Sequence, residues 1–381
     1  MPSKIQRVVF WQNILSIHQS AFMRALASRP GMEVWFVHEE DLPNSRKEMG
    51  WTIPDYGLAR VVDARDPRQW SRMADLDDAA TCHAFGGYFW LPRAYAAFRR
   101  LRSKPCQRVW ITEAFNYYGI SGWLRLQRAR WLVRREARAG FSRVFAMGEL
   151  GVNFFRRAGI RPGQLCEFAY LVEPPPLQEP PMEGQAKSRD FRFCFVGQMV
   201  RRKGGDCLLR AAARLPAGSW SMELVGDGTE RRQWEALAAE AGLADRVHFL
   251  GNQSNPATLR TIRSADALVL PSRWDGWGAV VNESLMAGTP AIVSDACGAA
   301  SLIVNDACGK VFKRADDSSL REALQGVLAT GKIQPVRRRH LSDWSAQTLG
   351  GPQLADYFLN CLASAGHNQT VPPPWRKEPF I

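Results

Sequence analysis

The stretch Phe193-Cys-Phe-Val-Gly197-Gln198-Met-Val-Arg201-Arg202-Lys203-Gly reads as a strand, then a loop ending in three consecutive basic residues, then a helix. A glycine there lets backbone approach a phosphate, and Lys203 supplies a point charge for one. No GxxxxGK[ST] is present, so this is not a Walker loop. Glu223-Leu-Val-Gly226-Asp-Gly228 is a second strand meeting a tight glycine turn before a helix. In Leu270-Pro271-Ser-Arg-Trp-Asp275-Gly276-Trp-Gly278-Ala-Val280-Val281-Asn-Glu283, a strand ends at Pro271, a glycine-rich loop follows, and a helix begins near Gly278. The free N–H groups and dipole of a helix start suit an anionic diphosphate. Asp275 just before that helix and Glu283 within it are acceptor-only carboxylates, suited to gripping paired sugar hydroxyls. The first two stretches, each by itself, also fit an ordinary strand, turn and helix.

The elements that must hold these residues are short apolar runs alternating with helical patterns. In the first half the strand candidates are 8–11, 34–38, 60–63, 82–85, 109–112 and 144–147. In the second half they are 191–196, 222–225, 247–250, 267–270 and 291–294, with helical patterns such as 20–28, 207–215 and 231–241 between strands. Buried apolar strands alternating with helices predict an α/β protein with parallel, doubly wound sheets. Loops leaving the carboxyl ends of such strands are where these folds bind ligands. The segment 171–190 has five prolines and reads as a semi-rigid connection. The sequence therefore predicts two Rossmann-like domains facing each other across a cleft: 1–170, the linker 171–190, and 191–365. The tail 366–381, with Pro372-Pro-Pro374, is expected to be irregular.

Order, spacing and strand context over roughly 191–313 resemble the donor-binding half of the group 1, family-4 retaining glycosyltransferases, which have the GT-B fold. That family carries a Gly-Arg…Lys-Gly phosphate loop, a Gly-Asp-Gly turn and an acidic pair spaced E-x7-E. The resemblance implies that Lys203 contacts the donor diphosphate and that Glu283 hydrogen-bonds the nucleotide ribose. It implies that Asp275, with the amides of Gly276 to Gly278, holds donor-sugar hydroxyls, and that the amides of Val280 and Val281 meet the distal phosphate. Gly197, Gln198 and Gly226 line the donor site, and the loop at His248–Gly251 passes the base, with a structural role beside a strand as the other reading of the His248 side chain. Two positions depart from the pattern. Gln198 stands where the family has arginine, which removes a charge that Arg201 or Arg202 is placed to replace. Asp275 is one methylene shorter than the family's first acid. The implied reaction transfers a hexosyl or N-acetylhexosaminyl group from a UDP- or GDP-sugar to an acceptor hydroxyl, with retention and no required cofactor or metal.

The first half resembles the family less specifically, as an acceptor domain would. Asn13 and His18, in Trp11-Gln-Asn13-Ile-Leu-Ser16-Ile-His18-Gln19, are candidate acceptor or phosphate contacts, with a local cap role as the other reading of Asn13. Glu113 and Glu149 each follow a strand and are further acceptor-side candidates. Related enzymes often keep a histidine beside the reacting centre, and His83, read as ending a strand, is a catalytic candidate with Asp275, Glu283 and Lys203, a satisfied structural histidine being its other reading. Asp75-Leu-Asp77 is a DxD tripeptide, but its polar surroundings read as a helix start, and it is set aside as a metal site.

Composition narrows the class. The chain has 381 residues, 50 Lys and Arg against 37 Asp and Glu, and a net charge of +13. Twelve arginines and Lys104 against Glu113 and Glu136 place +11 of that between Arg93 and Arg143. Within it, Trp123 to Arg138 interleaves arginine with tryptophan, and Ile120, Trp123, Leu124 and Trp131 fall on one side of a helix, as do Arg134 and Arg138. A solvated face, an anionic membrane surface or lipid-linked substrate, and nucleic acid compete for this region. No nucleic-acid motif accompanies the charge, so no nucleic-acid partner is expected. Eight scattered cysteines without a CxxC pair read as reduced, buried thiols. No long apolar stretch and no secretory signal are visible, which predicts a cytoplasmic protein, peripheral on the inner membrane face. A bacterial surface polysaccharide or lipopolysaccharide precursor is the expected acceptor. The rival readings are a nucleotide-sugar epimerase on the same architecture and a non-catalytic basic binding protein.

Overall fold

The computed structural model describes residues 4–44, 52–87, 89–137, 140–171, 190–216, 218, 220–365 and 371–377. Thirteen strands form two sheets among these residues. The first sheet holds β1 (Arg7–Gln12), β2 (Glu33–His38), β3 (Arg60–Asp63), β4 (Thr81–Gly86), β5 (Gln107–Thr112), β6 (Arg143–Met147) and β7 (Leu165–Phe168). Their spatial order is β3-β2-β1-β4-β5-β6-β7, parallel throughout. The second holds β8 (Phe191–Val196), β9 (Trp220–Val225), β10 (Val247–Gly251), β11 (Ala267–Leu270), β12 (Ala291–Ser294) and β13 (Gly309–Phe312), ordered β10-β9-β8-β11-β12-β13 and also parallel.

Both sheets are doubly wound, and in both the strand order reverses beside the first strand, between β1 and β4 and between β8 and β11. The outward-running connections on either side of that point leave a crevice at the carboxyl ends, where such sheets bind ligands. Central strands covered on both faces have no polar side to present, which is why Val8, Val9, Phe10 and Trp11 are all buried. Phe193, Phe195, Leu208, Leu224 and Trp234 make the corresponding core of the second sheet.

The chain divides into two compact units: Met1–Glu173 with Leu349–Pro374, and Pro174–Thr348 with Trp375–Ile381. The expected boundary at 365 therefore moves, because the helix Gly351–Ala363 packs with the first unit. Phe358 packs among Phe10, Phe22 and Phe145, tilted or edge-on, with ring centroids 6.1, 5.4 and 4.9 Å away. Arg143, buried on β6, donates to the carbonyls of Cys361 (3.0 Å), Gly163 and Ser364, so a cation satisfies the last carbonyls of that helix. Tyr357 adds a hydrogen bond from its hydroxyl to the Glu167 carbonyl at 2.8 Å. The tail is also more ordered than expected: Pro374–Arg376 is a 3₁₀ turn with Trp375 fully buried. The linker lies almost wholly outside the described residues.

Asp75 does not start a helix. It ends the helix Pro67–Ala74, pairing with Arg100, while Asp77 pairs with Lys104 at 2.9 Å.

Candidate functional site

Three loops leave the carboxyl ends of the adjacent strands β9, β8 and β11, and backbone hydrogen bonds tie them together. The Gly197 N–H donates to the Val225 carbonyl at 3.0 Å, Met199 to Asp227 at 2.8 Å and Arg273 to Arg202 at 2.8 Å. Gly226 has a φ of 126°, and a Cβ there would fall 2.0 Å from the Gly197 carbonyl oxygen, so no other residue fits the junction. Arg201–Lys203 form a 3₁₀ turn that folds Lys203 inward; it is 9% exposed.

The Lys203 ammonium meets the Asp275 carboxylate at 2.5 Å, and the Arg202 guanidinium stands 3.8 Å from the other oxygen. The Ser272 hydroxyl approaches the same carboxylate at 3.5 Å. The structure thus brings Gly197, Arg202, Lys203 and Asp275 together. Gln198 is exposed, and Arg202 brings a cation to this loop where the family's usual arginine is missing.

A second set of charges braces the loops. Arg273 grips Asp206 with two bonds of 2.6 Å and donates to the Arg201 carbonyl at 2.9 Å. Burial alone would raise the Asp206 carboxyl, but the Arg273 and Arg210 guanidiniums outweigh that and hold it down to about 2. Arg210 in turn bonds Asp317 at 2.6 Å. Sequence reasoning missed this brace and Ser272, since Arg273 and Asp206 are 67 residues apart and neither belongs to a spaced motif.

Beneath Asp275 the loop is pinned to the chain after β12. The Asp275 N–H donates to the Ala296 carbonyl at 3.0 Å, the Cys297 thiol to the Trp277 carbonyl at 2.7 Å, and the Trp277 indole to the Asn282 amide at 2.8 Å. Gly278 has a φ of 93°, and a Cβ there would sit 2.6 Å from the Cys297 sulfur. The following helix is Val280–Met286, two residues later than expected and only seven residues long. The Val281 N–H is already bonded to the Gly278 carbonyl at 3.0 Å, so its expected role as a phosphate donor is not preformed.

Glu283 sits in the first turn of that helix. Part of its surface reaches solvent, yet burial among protein atoms pushes its carboxyl up to about 7. A folded-state value above the ordinary 4.5 means the folded protein keeps a proton that the unfolded chain loses between pH 4.5 and 7. Stability therefore falls as pH rises through that window and levels off above it. A shift of this size is worth up to about 3 kcal/mol, less for a side chain partly in contact with water. Glu283→Gln should melt higher than the unsubstituted protein at pH 8 and equal to it at pH 4; a pH-independent difference in thermal melts would contradict this.

His248 is not placed to meet a base. It lies exposed near the start of the edge strand β10, opposite Glu223, about 10 Å before Gly251. Gly251, at the carboxyl end, accepts from the Gly226 N–H at 2.8 Å.

In the first unit an open depression of about 350 Å³ lies at the carboxyl ends of β1, β4 and β5, and Asn13, His18 and Glu113 line it. The cap of the following helix is Ser16, which accepts from the His18 N–H at 3.2 Å, so Asn13 has no cap role. Tyr170 hydrogen-bonds Glu113, and its burial raises the phenol well above its ordinary value, with the neighbouring carboxylate adding to the shift. Glu149 is exposed in the first turn of the helix Gly148–Ala158 and does not line the depression. His83 is corrected more fully. It lies mid-strand in β4, beside Val9 and Arg108, with no solvent exposure. Its Nδ1 accepts from the Trp11 indole at 3.1 Å, and its Nε2 bonds the Leu76 carbonyl at 2.8 Å. Burial lowers it to about 4, so it is a neutral structural histidine with no access to a substrate.

Comparison with known proteins places these features. Residues 180–340 match the family described as glycosyl transferases group 1. The lipopolysaccharide core biosynthesis glycosyltransferase LpsD of Rhizobium meliloti is 32% identical over 185 residues, 49% of this chain and 51% of that protein. A D-inositol 3-phosphate glycosyltransferase of Mycobacterium sp. strain KMS is 30% identical over 44% of this chain and 40% of its own. The chain thus spans about half the length of the curated relatives it matches. Among solved structures, the apo lipopolysaccharide outer core galactosyltransferase WaaB superposes over 94% of this chain and 99% of its own, with a TM-score of 0.69 and 15% identity. Anabaena HepE in complex with UDP superposes over 94% and 100%, with a TM-score of 0.68 and 16% identity. At such identity the likeness concerns the fold, which is GT-B.

Proposed function

With a group 1 glycosyltransferase domain at residues 180–340, we propose that this chain moves a sugar from a nucleoside diphosphate sugar to an acceptor hydroxyl, with retention at the anomeric carbon. The observation that carries this reading is the largely buried Lys203–Asp275 pair, with Arg202 beside it, at the switch point of the second sheet. A departing diphosphate needs fixed positive charge in a partly dry site, and Lys203 and Arg202 supply it without a metal ion. Asp275, held by Lys203, orients donor hydroxyls and is not a free nucleophile, which fits attack from the leaving-group side. Glu283 is the ribose contact. The test is the anomeric proton coupling of the product by NMR. The donor's anomeric configuration should reappear in the product; the opposite configuration would contradict retention.

The acceptor side belongs to the first unit, and a lipopolysaccharide or other lipid-linked glycan precursor is the acceptor class we favour. Support comes from the helix Gly119–Leu132, which buries only Gly122 and Ala129. Ile120, Trp123, Leu124 and Trp131 are all more than half exposed, beside the exposed Arg128, Arg134 and Arg135. Indole rings interleaved with cations suit the interface of an anionic membrane. Among the described residues no helix is long and apolar enough to cross one. Each basic group near such a surface is worth about 1 kcal/mol. Neutralising Arg128, Arg134 and Arg135 together should cut co-sedimentation with phosphatidylglycerol vesicles at least about tenfold; unchanged binding would remove the membrane from the account.

A further inference from the structure

Four basic residues, Arg201, Arg202, Lys203 and Arg273, lie where the loop after β8 is bonded to the loop after β11. The Arg273 guanidinium is committed within the protein. Its two terminal nitrogens each donate to one Asp206 oxygen at 2.6 Å, and one of them also donates to the Arg201 carbonyl at 2.9 Å. Asp206 takes a further bond from Arg210 at 3.1 Å, and Arg210 bonds Asp317, the first residue of the helix Asp317–Ala329, at 2.6 Å. The charges of two arginines and two aspartates cancel along this row. It adds no net charge to the phosphate site, which leaves that task to Lys203 and Arg202.

The row holds a stretch of backbone instead. The turn Arg201–Lys203 is three residues long, and its own bonds run from the Lys203 N–H to the Val200 carbonyl at 2.8 Å and from the Gly204 N–H to the Arg201 carbonyl at 3.2 Å. So short a 3₁₀ turn has poor hydrogen-bond geometry and takes its shape from its surroundings. Arg273 supplies them twice: its side chain holds the Arg201 carbonyl, and its N–H holds the Arg202 carbonyl at 2.8 Å. One residue past Lys203, Gly204 has a φ of 70° and lies against Pro271, where a Cβ would fall 2.2 Å from the carbonyl oxygen. Positions 201, 202 and 204 are thus fixed against the loop after β11. Lys203, between them, is turned inward and meets Asp275 at 2.5 Å. A planar fork makes three such bonds in set directions, which an ammonium on a flexible stem does not.

We infer that Arg273 is a positioning residue for Lys203: it fixes the turn Arg201–Lys203, and so aims the ammonium, without itself meeting the ligand. Calling that ligand a donor diphosphate rests on the transferase reading; the aiming of Lys203 rests on the bonds of Arg273 alone.

Labelling of the full chain with acetic anhydride, read lysine by lysine by mass spectrometry, tests the aiming. Lys203, 9% exposed, should label slowly in the unsubstituted protein. In Arg273→Ala its rate should rise about tenfold, with the rate at Lys104 in the first unit unchanged. Because Arg273→Ala leaves Asp206 short of a partner and weakens folding, Arg273→Lys is the second variant: it keeps the charge but not the fork, and Lys203 should label about threefold faster. Calorimetric titration with UDP and GDP on the same samples reads the consequence. Arg273→Ala should weaken the bound nucleotide about tenfold, but by less than about twofold when Lys203→Ala is already present, because the two residues act as one unit. An unchanged Lys203 rate in both variants, a rise shared by Lys104, or an equal loss of affinity with and without Lys203 overturns the inference. Faster labelling of Lys203 in a chain that binds neither nucleotide upholds the aiming and defeats the transferase reading. Nucleotide binding with an unchanged Lys203 rate does the reverse.

Discussion

Lys203→Ala should lower kcat/KM for sugar transfer by about 10²- to 10³-fold, the range seen when one fixed electrostatic stabiliser of a developing anion is removed. Lys203 is almost fully enclosed, so its charge acts through protein as well as water, and Arg202, half exposed and 3.8 Å from the same carboxylate, cannot take its place. The substitution should also weaken folding, because Asp275, whose side chain is 13% exposed, would be left without its 2.5 Å partner. Breaking such a pair from one side costs about 3–5 kcal/mol. The double variant Lys203→Ala with Asp275→Asn should recover most of that stability and none of the activity. Wild-type turnover in the single variant, measured with the preferred donor, would mean that the site is elsewhere.

Asp275→Asn should separate binding from catalysis. In the free protein the Asp275 carboxylate occupies the ammonium that a diphosphate would need, so the donor must compete with it. Removing one negative charge a few ångströms from the diphosphate is worth about 1–3 kcal/mol. UDP should therefore bind about tenfold more tightly to the variant. Turnover should nevertheless fall by about 10²-fold, since Lys203 loses its orienting partner and the donor sugar loses an acceptor for its hydroxyls. Calorimetric titration beside steady-state kinetics reads both signs. Weaker UDP binding would show that Asp275 supports the nucleotide rather than competing with it.

Much of the fold was legible because parallel strands covered on both faces announce themselves as apolar runs. Val8–Trp11 and Phe191–Val196 need no partner to be recognised. The strands that escaped, Leu165–Phe168 and Gly309–Phe312, are four-residue edges carrying Glu167 and Lys310, whose polar positions break the run. The helix Gly351–Ala363 was assigned to the wrong unit because its partners, Phe10, Phe22 and Arg143, are hundreds of residues away. At the site the same division holds. Gly197, Lys203 and Asp275, which the structure brings together, were readable from spacing and order, since each lies in a loop between a strand and the following helix. The environment of His83 was not: its role depends on Trp11, 72 residues earlier, and on one carbonyl of Leu76.

Lys203 is the centre of the proposed donor site in the second unit. Its most direct test is calorimetric titration of the full chain with UDP, GDP and their sugars, beside Lys203→Ala. One nucleotide series should bind, and the variant should bind it at least about tenfold more weakly, as expected for loss of a charge-assisted phosphate contact. Binding of none of these ligands, or equal binding by Lys203→Ala, would contradict it.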